Sequence, residues 1–260
     1  MEGFFRYPVK DGNAEAYAAE PVGRRAAGQV LVVHEVWGFT RFIRKTCDDL
    51  SNEGFRAVAP VLYWRDRDVF SEKNIREGLK TVWGLSLEER RQRAKLEAAI
   101  EKGGASPAAA SMLRKLYDPG FRARILEDLV SLARHSRRER PDLALGALGF
   151  SMGGKMAMQT AAAFGGMAAC VAVSSEPLVG PSLGKVRAPL LLLYGSDDAF
   201  MLRSLPAFVE EAVSRGKAVA LKLYPSAGHE FFDPAHKDYL PAAAKDARES
   251  ALDFMRKCLA

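Results

Sequence analysis

The chain opens with two stretches of alternating apolar and polar residues. Phe4 to Val9 and Ala14 to Ala19 flank Asp11-Gly12-Asn13, a run of turn formers, and together they read as a β-hairpin. Val30-Leu31-Val32-Val33 is a short run without a polar member, which suits a strand buried on both faces. The period then lengthens. Between Arg41 and Asn52, positions Phe42, Thr46, Asp49 and Leu50 recur at helical spacing, and Gly54 can stop the helix. Phe55 to Ala59 is the next strand, ended by Pro60.

From Leu62 to about Gly120 the pattern predicts only helix: Ser71 to Val82, Ser86 to Lys102 and Pro107 to Leu116. Ser86-Leu87-Glu88-Glu89 carries the spacing of a capping box, and Gly103-Gly104 breaks the run. Residues 62–120 hold too few large apolar side chains for a core of their own. They read as a helical insertion within one domain spanning 1–260. Strand–helix alternation then resumes. Strands are expected at Leu143 to Leu148, Ala168 to Val173, Leu190 to Tyr194 and Ala218 to Tyr224. Helices are expected at Ile125 to Ala133, Lys155 to Phe164, Leu205 to Arg215 and Pro241 to Leu259. The result is an α/β fold: a mostly parallel eight-stranded sheet with helices on both faces, an antiparallel start and a helical insertion after strand four.

Composition narrows the setting. A hydrophobic content of 48% with 27% charged residues is that of an ordinary soluble globular chain. The formal charge of +6 permits attraction to anions, but its distribution excludes a nucleic-acid partner. Arg90-Arg91-Gln92-Arg93 follows Glu88-Glu89, and the basic stretch from Arg134 to Arg140 also holds a Glu. Neither interleaves aromatics, and both read as solvated surface, a helix face and a loop. Cys47, Cys170 and Cys258 are far apart, odd in number and without metal-like spacing, which fits a reduced compartment. The start, Met1 to Arg6, lacks the plan of a signal peptide, and no apolar run reaches membrane-spanning length. The expectation is a cytoplasmic monomer or homodimer with no cofactor, no metal and no membrane partner.

In an open parallel sheet, ligands bind beyond the carboxyl ends of the strands. There the sequence gathers a hydroxyl, carboxylates and an imidazole. Gly149-Phe150-Ser151-Met152-Gly153 matches G-x-S-x-G between a strand and an Ala-rich helix, the context in which a nucleophilic serine sits on a tight, exposed turn. The helix N-terminus would aim free N–H groups, Met152 first, at a developing oxyanion. A second match, Gly180 to Gly184, leads through Lys185-Val186-Arg187 into a strand, so Ser182 is expected in a loop. Gly149 to Lys155 also fits the start of a P-loop, but Met156 stands where a Mg²⁺-binding Ser or Thr is needed.

Four histidines compete for the role of base. His34 ends strand three, His135 lies by the basic stretch and His236 in a polar segment. His229, after Gly228 in the loop behind the last strand, can swing over the serine. The order Ser, acid, His is that of the α/β-hydrolase fold. For the acid, Asp197 and Asp198 both follow strand seven, and spacing alone does not choose between them. A complete triad disfavours the alternative of a non-catalytic ligand-binding protein on the same fold.

Taken together, His34-Glu35-Val36-Trp37-Gly38, Ala59-Pro60-x-Leu62-Tyr63, Gly149-x-Ser151-x-Gly153-Gly154, Gly195-x-x-Asp198-x-Phe200 and Tyr224-x-x-Ala227-Gly228-His229-x-Phe231 resemble the dienelactone hydrolase family. The resemblance covers most of the chain and implies cleavage of a small-molecule ester or lactone. It selects Asp198 as the acid, brings Glu35 toward the nucleophile and makes the Val36 N–H the second oxyanion donor. It also implies a substrate-binding arginine a turn or two before a Trp, here Arg76 and Trp83, with Trp37 as a third substrate-binding candidate. Beside an acidic substrate Glu35 must be protonated or paired, with Arg44 and Arg76 as possible partners; its structural role would be a strand-end cap held by an arginine. Three departures stand out. The family nucleophile is usually Cys and here it is Ser, which calls for an ordinary Ser–His–Asp cycle. Asp233 stands four residues past the histidine, where dienelactone enzymes carry an Arg. Residues 84–117 are extra length, expected to form a lid that turns Leu85, Leu87 and Met112 toward the pocket.

Overall fold

Beyond the hairpin turn at Gly12, the inner strands of the sheet are built from residues that alternate between two cores, whereas the last strand, at the edge, is largely exposed. In the computed structural model, which describes residues 3–259, β1 (Gly3–Val9) and β2 (Gly12–Ala19) form the hairpin, followed by β3 (Gln29–Val33), α1 (Arg41–Asn52) and β4 (Arg56–Pro60). Leu31 and Val33 enter one hydrophobic cluster, Val30 and Val32 the other. That double burial is why β3 is apolar from Val30 to Val33. Met1 and Glu2, part of the N-terminal segment considered above, lie outside the described residues.

The insertion comprises α2 (Glu72–Val82), α3 (Leu87–Arg91), α4 (Arg93–Gly103) and α5 (Pro107–Leu116). Its helices start on local signals. The Ser71 and Ser106 hydroxyls accept from the N–H groups of Asn74 and Ala109, and Ser86 and Glu89 make both bonds of the capping box. Ile75, Leu96, Met112 and Leu113 join the cluster that holds Leu31 and Val33, so the insertion shares the core of one sheet face. Ser86 to Lys102 is not one helix. Gln92 takes an extended ψ of 109° and separates α3 from α4. No residue there breaks helices by propensity; Arg90 and Arg91 are turned inward to tertiary partners, which outweigh it.

Next come α6 (Pro119–Glu139), β5 (Leu145–Phe150), α7 (Met152–Phe164), β6 (Ala169–Val173), α8 (Pro181–Lys185), β7 (Leu190–Gly195), α9 (Ala199–Leu202), α10 (Leu205–Ser214), β8 (Val219–Tyr224) and α11 (Pro241–Leu259). α6 is twice as long as expected. It starts at Asp118, whose carboxylate accepts from Phe121 N–H, with Pro119 in the first turn, and it takes up most of the basic stretch expected to be a loop. The sheet order is β1-β2-β4-β3-β5-β6-β7-β8, with β1/β2 and β2/β4 antiparallel and every later pair parallel. α1 and α11 cover one face, through Ile43, Cys47, Leu252 and Met255; α6, α7 and the insertion cover the other. The carboxyl ends of β3, β5, β6, β7 and the loop after β8 therefore converge on one rim. Among the described residues no helix is long and apolar enough to cross a membrane. Cys47, Cys170 and Cys258 are unpaired thiols.

Candidate active site

The turn between β5 and α7 consists of Ser151 alone. Its backbone sits at φ 47°, ψ −117°, a left-handed conformation that costs a non-glycine residue about 1–3 kcal/mol. The flanking glycines are required by close approach. A Cβ on Gly149 would lie 2.3 Å from the Gly153 carbonyl oxygen, and one on Gly153 would lie 2.2 Å from that of Val33. The Ser151 N–H donates to Val173 O at 2.8 Å, which ties the turn to β6. With strand on one side and helix on the other, no loop remains to wrap a phosphate. Lys155 instead pairs with Glu176 at 2.7 Å. The second G-x-S-x-G segment is also not the expected loop: Ser182 sits on the exposed side of the five-residue α8.

Ser151 Oγ lies 2.9 Å from His229 Nε2, and His229 Nδ1 lies 2.6 Å from Asp198 Oδ2. Asp198 is 4% exposed, and its other oxygen accepts from Met201 N–H at 3.2 Å at the start of α9. Asp197 is exposed and accepts from the Ser196 hydroxyl, so geometry separates the two carboxylates that spacing could not. Burial pulls the His229 imidazole down, but the hydrogen bond and charge of Asp198 outweigh it and leave the group above its ordinary value.

Met152 opens α7, where helix geometry leaves its N–H unclaimed. The loop carrying Val36 is held by residues the sequence reading did not assign a role. Buried His34 accepts from Leu62 N–H through Nε2 at 3.2 Å, so its Nδ1–H donates to Glu35 O at 2.6 Å. Burial pulls this imidazole down to about 4, which keeps it neutral in that tautomer. The Tyr63 hydroxyl donates to Val36 O at 3.1 Å. The position of His34 at the end of β3, opposite an unclaimed N–H after β4, was the available signal.

These groups line a cavity of about 460 Å³, within the range of small-molecule sites. Glu35, Val36, Trp37, Trp83, Ser151, Met152, Asp198 and His229 all border it. Glu35 is 8% exposed, and among the described residues neither carboxyl oxygen has a hydrogen-bond partner. Of the two expectations for Glu35, protonation or pairing with an arginine, the surroundings favour the first. Burial pushes the carboxyl up to about 7, reinforced by the Asp233 and Glu230 carboxylates and opposed by its own backbone amide and His236. Trp37 Nε1 donates to Glu230 at 2.9 Å, and Glu230 also pairs with His236 at 2.5 Å. Arg76 is not on the cavity wall. It is exposed, pairs with Glu72 at 2.8 Å, and lies over the outer face of the Trp37 ring. Of the expected lid residues only Leu87 borders the cavity. Leu79 and Trp83 join it, whereas Met112 is fully buried against Gly78 and Leu85 lies off the wall.

Five cations read as surface, or not singled out, also border the cavity: Arg90, Arg91, Arg122, Lys155 and Lys237. Arg91 and Lys155 share Glu176, which follows β6 and is held well down, to about 2, by those two charges despite its burial. The signal for Glu176 was its place after a parallel strand, on the same rim as the other candidates. Among the described residues no group of His, Cys, Asp and Glu has the arrangement of a metal site.

The model of the dienelactone hydrolase family matches residues 14–259. The chain belongs to the dienelactone hydrolase family. It is accordingly a hydrolase of ester or lactone bonds on an α/β-hydrolase fold. A relative from Saccharolobus solfataricus bearing the name "Putative carboxymethylenebutenolidase" is 28% identical over 99% of both chains. The crystal structure of "Putative Dienelactone Hydrolase" from Klebsiella pneumoniae superposes with a TM-score of 0.73 at 23% identity, covering 98% of this chain and 97% of that one. Dienelactone hydrolase from Anabaena variabilis superposes at 0.64 with 18% identity over 100% and 99%. Both solved structures share the fold described above.

Proposed function

We propose that this dienelactone hydrolase family member cleaves a small-molecule ester or lactone through an acyl-enzyme on Ser151. The observation that carries the reading is the hydrogen-bonded series Ser151–His229–Asp198 at the rim of the cavity, with the serine on a strained turn. His229 takes the hydroxyl proton as Ser151 Oγ attacks the carbonyl, and Asp198 orients the ring and stabilises the imidazolium. The amides of Met152 and Val36 receive the oxyanion, each contributing about 3 kcal/mol to the transition state. His229 then returns the proton to the leaving alkoxide. Water, activated by the same imidazole, releases the acid.

Glu35, pushed up to about 7, keeps its proton below that pH and there acts as a hydrogen-bond donor in the cavity wall. Trp37 and Trp83 bound the substrate; Arg76 acts on it only through the ring of Trp37. The chain is read as one domain, with residues 62–120 as a helical lid over the cavity, working as a monomer or homodimer in the cytoplasm.

Rapid mixing with 4-nitrophenyl acetate tests the covalent step. The expected result is a burst of one nitrophenol per chain followed by slower turnover. Ser151→Ala and His229→Gln should each lower kcat by about 10⁴-fold or more, and Asp198→Asn by a similar order. A folded wild-type protein with neither burst nor turnover on an ester and lactone panel would return the cavity to a ligand-binding role.

A further inference from the structure

The sheet ends on β8, and the ladder to β7 shows which groups that edge leaves open. Ala218 O accepts from Leu190 N–H at 2.8 Å and Tyr224 O from Ser196 N–H at 2.9 Å, so the even-numbered residues of the strand address β7. Val219, Leu221 and Leu223 therefore turn their N–H and C=O groups outward, and among the described residues none of these groups has a partner. Their side chains share one face. Val219 packs on the cluster that holds Leu190 and Leu192, while Leu221 and Leu223 are exposed. On the same face, α10 buries Phe208 and Ala212 in that cluster. Its Glu211 and Arg215 flank leans toward α8, where the Glu211 carboxylate accepts from Gly180 N–H at 2.7 Å and Arg215 approaches Gly184. The opposite flank, beside the sheet edge, is Pro206, Val209 and Val213, all exposed. A strand row and a helix flank thus form one apolar strip without a charge. Lys222 points to the other face and pairs with Asp246 of α11. The other edge strand, β1, is made differently: it carries Arg6 and Pro8, which discourage strand pairing.

We propose that β8 pairs with β8 of a second copy of this chain, antiparallel about a two-fold axis that passes through Leu221 normal to the sheet. Self-complementarity selects the occupant. In that register Leu221 meets the partner's Leu221 and Val219 meets the partner's Leu223, and each pair exchanges both backbone bonds, so every outward group is used. Sliding two residues one way sets Val219 against the partner's Pro225, which has no N–H to give. Sliding the other way sets Leu223 against the partner's Lys217, whose N–H already goes to Ala212 O at 2.9 Å. α10 connects β7 to β8 and lies over them, so the two copies of α10 stand about two strand spacings apart, ~10 Å, the separation of packed helices. Pro206, Val209 and Val213 then meet their copies above the row of Val219, Leu221 and Leu223. The joint brings no like charges together on this face, and each Lys222 stays neutralised by Asp246 on the other. The axis reverses strand direction. The two cavities therefore open at opposite ends of one continuous sheet, and the pairing is independent of the chemistry at Ser151.

Light scattering on a sizing column, across a broad dilution series, should give twice the mass of one chain. Leu221→Lys sets like charges opposite each other on the axis and should weaken association by about 100-fold or more. Val213→Lys, at a position 75% exposed in the single chain, should act in the same direction and keeps the test open where the Leu221 variant fails to fold. Residue-resolved amide exchange reads the register. In wild type the N–H groups of Val219, Leu221 and Leu223 should exchange slowly, and in the dissociated variants fast, whereas Ala220 and Lys222, bonded to β7, stay slow in both. A single-chain mass at every concentration overturns the proposal. So does a two-chain mass that persists in both variants, or one that leaves the three outward amides fast. Growth beyond two chains would mean a contact between unlike patches and overturns it as well.

Discussion

Glu35 carries a carboxyl into the cavity wall without a hydrogen bond to either oxygen, so its protonation sets a measurable pH signature. Its folded-state value of about 7 lies above the ordinary 4.5. The folded chain therefore holds a proton that the unfolded chain releases. The stability this contributes is complete below pH 4.5 and is lost as pH rises through 7. Glu35→Gln, neutral throughout, should be more stable than wild type at pH 8, by about 3 kcal/mol, with the gap closing toward pH 4.5. Thermal melts across that range check it; a gap that does not change with pH contradicts the neutral carboxyl. His229 moves in the opposite sense for activity. It must be neutral to accept the serine proton, so kcat/KM should fall as pH drops through a value above the ordinary 6.5. An acid limb centred well below 6.5 would mean that Asp198 does not support the imidazolium. At this scale the sequence pointed to Ser151, His229 and the pair Asp197/Asp198, because a local motif or a strand end marks each one. It did not reveal the raised carboxyl of Glu35, which depends first on burial in the folded chain and then on Asp233 and Glu230, about two hundred residues away.

Among elements, the loop after β3 has the most exacting task, since it must present the Val36 amide to the oxyanion without regular structure of its own. His34 and Tyr63 supply the order from beneath. Replacing His34 by Ala leaves the buried Leu62 N–H without an acceptor, at about 1–3 kcal/mol, and frees the loop. The expected outcome is a lower melting temperature together with a kcat reduced about 10- to 100-fold at nearly unchanged KM. Loss of stability with full kcat would show that the loop orders itself. The tight turn at Ser151 makes a matching case: Gly153→Ala forces a carbon to within 2.2 Å of the Val33 oxygen, and the purified variant should be unfolded or inactive. The inner strands and helices such as α1 were legible because they are almost wholly apolar or strongly periodic, whereas α6 was read at less than half its length. The break at Gln92 was not, because only the tertiary partners of Arg90 and Arg91 impose it. Four-residue α9 and five-residue α8 are too short to show a period.

At the scale of the molecule, the insertion and the sheet are joined through one apolar cluster, in which Ile75, Leu96 and Leu113 pack with Leu31 and Val33. Denaturation followed by near-UV and far-UV signals should give one coincident transition; an early separate loss of helix would mean that residues 62–120 fold on their own. The mostly parallel sheet, its antiparallel start and its open rim followed from strand–helix alternation; the strand order was seen only in the structure. The electrostatic layout of the cavity did not. Arg91, Arg122, Lys155 and Glu176 come from four elements, and a motif read along the chain cannot see them meet. That assembly makes the site a dense field of charges near the Ser151 hydroxyl, and the account stands on the reactivity of that hydroxyl. Intact-mass analysis after treatment with a fluorophosphonate, on wild type and Ser151→Ala, tests it most directly. One adduct per chain on wild type, mapped to Ser151 and absent from the variant, is the predicted result. A folded wild-type protein that takes no adduct, or one labelled equally in the variant, would contradict it.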